Sequence, residues 1–79
     1  MATLRFFAGA AEAAGTDGAA VDANSIGDLR AELVRLYGAE FARVLGLCSL
    51  LVNGARASDD AVQLTATDSV DVLPPFAGG

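Results

Sequence analysis

Histidine and lysine are absent from this sequence, and cysteine occurs once, as Cys48. Without His, and without carboxylates gathered at metal-ligand spacing, the usual general bases, nucleophile–base pairs and metal sites are missing. Catalysis by this chain alone is therefore not expected, and neither is a bound metal or cofactor. The absence of Lys leaves no internal ε-amine at which copies of the chain are joined into polymers. A single Cys forms no internal disulfide. No apolar run approaches the length of a membrane span, and Met1-Ala2-Thr3-Leu4-Arg5 lacks the pattern of a secretory signal. A cytoplasmic protein is the expectation. Basic charge is also scarce: five Arg stand against ten Asp and Glu, for a net charge of −5. That balance argues against binding nucleic acid or an anionic membrane and suits a basic or cation-lined protein partner.

With 79 residues the chain has room for one domain. A domain of that size buries only roughly 60–65% of the surface its unfolded chain exposes, which leaves no space for a substrate pocket beside the core. Thr3 to Ala8 reads as a strand with Leu4, Phe6 and Ala8 on one face and Arg5 and Phe7 on the other. Ala10 to Ala14 reads as a helical turn closed by Gly15, and Ala19 to Ala23 as a weak second strand. Ser25 is placed to cap a helix with Asp28 at its N3 position, and Ile26, Leu29, Leu33 and Leu36 form its apolar stripe. Gly38 stops it.

Glu40 to Leu45 predicts a short helical turn, and Cys48 to Val52 a buried strand. Asn53-Gly54 favours a type I′ hairpin turn into a short strand at Ala55 to Ala57. The last strand runs from Ser69 to Leu73. The order strand, strand, helix, strand, short strand, strand is most economically packed as an α+β β-grasp, or ubiquitin-like, fold. One main helix crosses one face of a mixed sheet, with the first and last strands adjacent and parallel at its centre.

The sequence ends Pro74-Pro75-Phe76-Ala77-Gly78-Gly79. Two prolines hold the backbone extended. A glycine carboxylate with no Cβ beside it can enter a channel too narrow for other residues. The expected division is a β-grasp domain over 1–75 and a flexible tail over 76–79. Cys48 alternates with Leu50 and Val52, which face inward, so a structural role is expected of it. If Leu4, Phe6, Leu50, Val52, Val70 and Val72 lie under the helix, the pleat sends Phe7, Leu51 and Leu73 to the opposite face, where no helix covers them. An uncovered apolar patch of this kind marks a binding surface.

Leu4-Arg5-Phe6-Phe7-Ala8, Glu12, Gly15-Thr16-Asp17, Leu29-Arg30, Val52-Asn53-Gly54, Asp68-Ser69-Val70 and the Pro-Pro-Phe-Ala-Gly-Gly ending together resemble the MoaD family, the small subunit of molybdopterin synthase. The turn and the diglycine are shared with its relative ThiS, and the paired prolines favour the molybdopterin branch. Many family members carry a basic residue where this sequence has Ala11, a departure that concerns the partner surface and leaves the tail chemistry untouched.

The resemblance implies a sulfur carrier. An ATP-dependent, MoeB-like activating enzyme would adenylate the Gly79 carboxylate, and a donor such as a cysteine desulfurase or rhodanese would supply sulfur. The resulting thiocarboxylate would deliver it in the active site of a large, MoaE-like synthase subunit. By the same resemblance Gly78 and Gly79 carry the chemistry, while the outward residues Phe7, Leu51 and Leu73 given by strand alternation are expected to meet partners, with Pro75, Phe76 and Ala77 extending that contact along the tail. Three alternatives stay open: a carrier for thiamine, cysteine or tungsten-pterin synthesis, a ubiquitin-like covalent protein modifier, and an interaction module with an inert tail.

Overall fold

The computed structural model describes residues 1–75. Strand β1 (Ala2–Phe6) is followed by a short helix α1 (Gly9–Ala14) and strand β2 (Gly18–Val21). Helix α2 (Ile26–Tyr37) and helix α3 (Ala39–Leu45) precede strands β3 (Ser49–Val52), β4 (Ala55–Arg56) and β5 (Ser69–Leu73). The five strands form one mixed sheet in the order β2-β1-β5-β3-β4. β1 and β5 are parallel, with Leu4 beside Val70 and Phe6 beside Val72. β3 is antiparallel to β5, with Leu50 beside Val72. This is the β-grasp arrangement, and β5, the strand that leads to the tail, lies at its centre.

Helix α2 begins where the sequence marks it. The Ser25 hydroxyl accepts a hydrogen bond from the Asp28 N–H at 3.1 Å, a cap of the kind that stabilises a helix by about 1 kcal/mol. Gly38, at φ 90° and ψ −170°, both ends α2 and begins α3. A side chain is strained in that conformation, so the glycine permits the sharp change of direction between the helices.

The core lies between the helices and one sheet face. Ile26, Leu29 and Leu33 of α2 and Phe41 and Leu45 of α3 pack on Leu4, Phe6, Leu50, Val70 and Val72. An aromatic trio joins the layers: Phe6 meets Tyr37 edge-on at 5.7 Å and Phe41 at 5.6 Å, and Tyr37 lies 5.1 Å from Phe41.

Three local expectations need correction. Leu36 does not continue the buried stripe but is 47% exposed. At 100° per residue, Leu36 and Tyr37 lie roughly 50° to either side of the stripe's centre. Tertiary contact decides between them, because only Tyr37 reaches Phe6 and Phe41. Ala8 is not a strand residue either. β1 ends at Phe6, and Ala8 takes φ 49° and ψ −123° where the chain turns into α1. Cys48 precedes β3 rather than opening it. Leu45 accepts a hydrogen bond from its N–H at 3.0 Å, which continues the turn that follows α3.

The candidate docking face and the strand that leads to the tail

Side chains alternate along each strand, so the residues between the core positions form the second face of the sheet. There the register sets Arg5 beside Asp71, Asp71 beside Leu51, and Leu51 beside Arg56. One row thus runs across four strands as Arg5, Asp71, Leu51, Arg56. In the adjoining row, Leu73 lies opposite Ser49. The Phe7 N–H donates to the Val72 carbonyl at 3.2 Å, which extends the β1–β5 ladder beyond β1 and brings Phe7 alongside Leu73.

The expected trio therefore shares a face. Phe7 and Leu73 are neighbours, and Leu51 is diagonal to Leu73. All three are half-buried rather than fully exposed. Pro75 is exposed at the end of the described chain. Phe76, Ala77, Gly78 and Gly79 lie outside the described residues.

Arg5, placed on the outer face by the sequence pattern but given no role there, is an organising residue of this row. Its guanidinium binds Asp71 through both oxygens, Nε to Oδ1 at 2.8 Å and Nη2 to Oδ2 at 3.0 Å. It also stands 5.7 Å from the centre of the Phe7 ring, within range of a cation–π attraction. Asp71 draws the Arg5 proton affinity still higher, first through the hydrogen bond and then through its charge. The signal was present in the sequence: Arg5 and Asp71 each occupy the outward position of a central strand, and parallel pairing of the first and last strands brings them together.

A second cluster fixes the start of β5. Asn53 and Gly54 take φ 51° and 86°, the left-handed pair that a type I′ turn requires. The Asn53 side chain reaches across to the β5 entry. Its amide donates to Asp68 Oδ1 at 2.9 Å, and its Oδ1 accepts from the Ser69 N–H at 2.9 Å. The other oxygen of Asp68 accepts from the Thr65 N–H at 2.8 Å. The Thr65 N–H and the Asn53 amide hold the Asp68 carboxyl below the usual carboxylate range. The Asn-Gly and Asp-Ser segments are thus two halves of one clamp on the strand that leads to the tail.

Cys48 is half-buried, and its Sγ lies 3.2 Å from the Val44 carbonyl, to which it donates. Burial pushes its thiol pKa up despite the nearby Arg30, the opposite of what a nucleophilic or persulfide-bearing cysteine needs. Among the described residues no group of three His, Cys, Asp or Glu side chains is placed to hold a metal, and no helix is long and apolar enough to cross a membrane. An open groove of about 410 Å³ runs between β2 and α2, lined by Met1, Ala20, Val21, Glu32, Arg35 and Leu36 among others. It contains none of the predicted site residues.

Comparison with known proteins agrees with this architecture. The model of the ThiS family matches residues 4–79. No curated protein matches the chain in sequence. Among solved structures, SAMP1 from Haloferax volcanii is 30% identical, with a TM-score of 0.84 over 99% of this chain and 98% of that one. The HVO 2177 protein of the same organism is 31% identical, with a TM-score of 0.75 over 99% of this chain and 85% of its own. A chain in the complex of subunits 1 and 2 of molybdopterin-converting factor from Helicobacter pylori is 26% identical, with a TM-score of 0.76 over 99% and 97% of the two chains.

Proposed function

The chain belongs to the ThiS family and is a ubiquitin-like sulfur carrier of the ThiS/MoaD superfamily; from that premise we propose that it carries sulfur to molybdopterin synthase as a thiocarboxylate on Gly79. The observation that carries the sulfur-carrier part of this reading is the extent of the family match, which runs from residue 4 through Gly78 and Gly79. Similarity to a chain of the Helicobacter pylori complex supports a large synthase subunit as the acceptor partner.

A free carboxylate is a poor acyl donor. In the activating enzyme, a Gly79 carboxylate oxygen attacks the α-phosphorus of ATP and displaces pyrophosphate, giving an acyl-adenylate. The terminal sulfur of a donor persulfide, from a cysteine desulfurase or rhodanese, then attacks the acyl carbon and expels AMP. A thiol cleaves the resulting S–S bond by forming a disulfide with the donor sulfur, and the thiocarboxylate is left on Gly79. This ionised sulfur is the nucleophile that the tail delivers, following the general logic of activated nucleophiles. The chain's own work is recognition. The outer face, with Phe7, Leu51 and Leu73, docks on the partner, while Pro75, Phe76 and Ala77 guide Gly78 and Gly79 into its active site.

A second reading is favoured by the 30% identity to SAMP1, described as a small archaeal modifier protein. In it a target lysine amine, instead of a persulfide, attacks the adenylate and forms an isopeptide bond. Intact-mass measurement of the protein purified from its native host separates the two. Exchange of one terminal oxygen for sulfur, dependent on ATP and the activating enzyme, supports the carrier. Adducts on target lysines support the modifier, and an unmodified mass under all conditions refutes both.

A further inference from the structure

Four of the five arginines are held by carboxylates within the chain: Arg5 by Asp71, Arg30 by Asp60, Arg35 by Glu32 and Arg43 by Glu40. Arg56 is the exception, with no ion-pair partner among the described residues. Its position in β4 opposite Leu51 puts it on the outer face of the sheet, where it is exposed. The only carboxylate in its row, Asp71, already gives both oxygens to Arg5 and is separated from Arg56 by the whole of β3.

A protein that covers Leu51 therefore also removes water from Arg56, and nothing else in that row can replace the water. An unpaired guanidinium is expensive to desolvate, and the cost outweighs the neighbouring apolar contact unless the partner supplies an acceptor. The local charge points the same way. The chain as a whole is at −5, but the row of Arg5, Asp71, Leu51 and Arg56 holds two cations and one anion. A uniformly acidic partner is repelled, whereas a single well-placed carboxylate is attracted to this row. A guanidinium fork suits that role, because it binds a carboxylate through two parallel hydrogen bonds and so fixes orientation as well as affinity.

We propose that Arg56 is a specificity-determining residue of the outer face, reading an Asp or Glu carboxylate of the docking protein at the β4 edge while that protein's apolar surface covers Leu51 and Leu73. The inference rests on the reading that this face docks on the large synthase subunit, and it adds the chemistry by which that partner is selected.

The test is calorimetric titration of the full chain with the large molybdopterin synthase subunit of the same organism, at low and high salt. Leu51→Asp reports on docking, and Arg56→Glu and Arg56→Leu report on the inference. Circular dichroism establishes that each variant is folded, as expected above all at Arg56, an exposed position on a two-residue strand. Arg56→Glu is expected to weaken binding at least tenfold, with part of the loss removed by salt, and Arg56→Leu by a smaller factor. Reversing the facing carboxylate of the partner to Arg is expected to restore binding to Arg56→Glu. If Leu51→Asp loses binding while Arg56→Glu binds like the wild type, the role of Arg56 is overturned and the docking face stands. If neither variant changes affinity, the docking face itself is refuted, and the inference with it.

Discussion

Replacing Asn53 tests whether the clamp at the head of β5 is a structural joint or an incidental surface contact. In Asn53→Ala two costs arise together. The backbone stays left-handed at φ 51°, which costs a residue with a Cβ and no compensating side-chain bond about 1 kcal/mol. The Ser69 N–H loses the acceptor it had at 2.9 Å, a net loss of about 1 kcal/mol for one hydrogen bond. The sum, about 2 kcal/mol, corresponds to a fall in melting temperature of roughly 8–16 °C for a domain of this size. Asn53→Gly separates the contributions, because it keeps the left-handed turn and loses only the side-chain bonds, for a cost of about 1 kcal/mol. Urea denaturation of both variants against the wild type measures the difference. The clamp also predicts a pH response. Because the Asp68 carboxyl titrates below its unfolded value, its contribution is present above the unfolded carboxylate range and is lost as pH falls through the folded value. Asn53→Ala, which removes one of the two donors, should flatten that acid-side loss. Equal stability of the Ala and Gly variants, or a loss below about 0.5 kcal/mol in both, would refute the turn-and-clamp account.

The remaining predictions address the tail, the thiol and the strained junction. Deleting Gly79, or replacing it with a bulkier residue, should abolish adenylation and sulfur transfer in a reconstituted assay while the melting curve is unchanged; full transfer by the truncated chain refutes the role of the tail. Cys48→Ala should keep thiocarboxylate formation at a stability cost of about 1 kcal/mol, and a folded variant with no transfer would make the thiol a participant. Ala8→Gly should raise stability by about 0.5–1 kcal/mol in denaturant titration, since φ 49° with ψ −123° is a conformation that only glycine adopts freely. A destabilised Ala8→Gly would show that the junction is not strained.

The periodic parts of this fold were legible in the sequence. Ile26, Leu29 and Leu33 at helical spacing, Ser25 ahead of Asp28, Asn53-Gly54, and the alternation of Val70 and Val72 each have a local physical cause, and each appears where that cause puts it. The assignment that failed in α2 depended on contacts between distant segments. Leu36 and Tyr37 were indistinguishable by helical angle, and the aromatic pocket formed by Phe6 and Phe41 chose between them. Phe41, fully buried, lay in a helix too short for any stripe to show. The outward positions of Phe7, Leu51 and Leu73 followed from the pleat alone. The Arg5–Asp71 pair could be found only by combining that alternation with the parallel register, because 66 positions separate the two residues.

The parallel placement of β1 and β5 also has a mechanical consequence. The chain enters the sheet at Ala2 and leaves it at Leu73, at opposite ends of two neighbouring strands that run the same way. Tension applied to the tail against a held N-terminus therefore acts along the strands and loads the rungs of that ladder together, in shear, instead of opening them one at a time like a zip. β5 is gripped on its other side by β3 over Val70 to Leu73, so its extraction must break two ladders at once. Force applied to the chain beyond Leu73 is thus borne by a strand paired on both sides, β5 between β1 and β3.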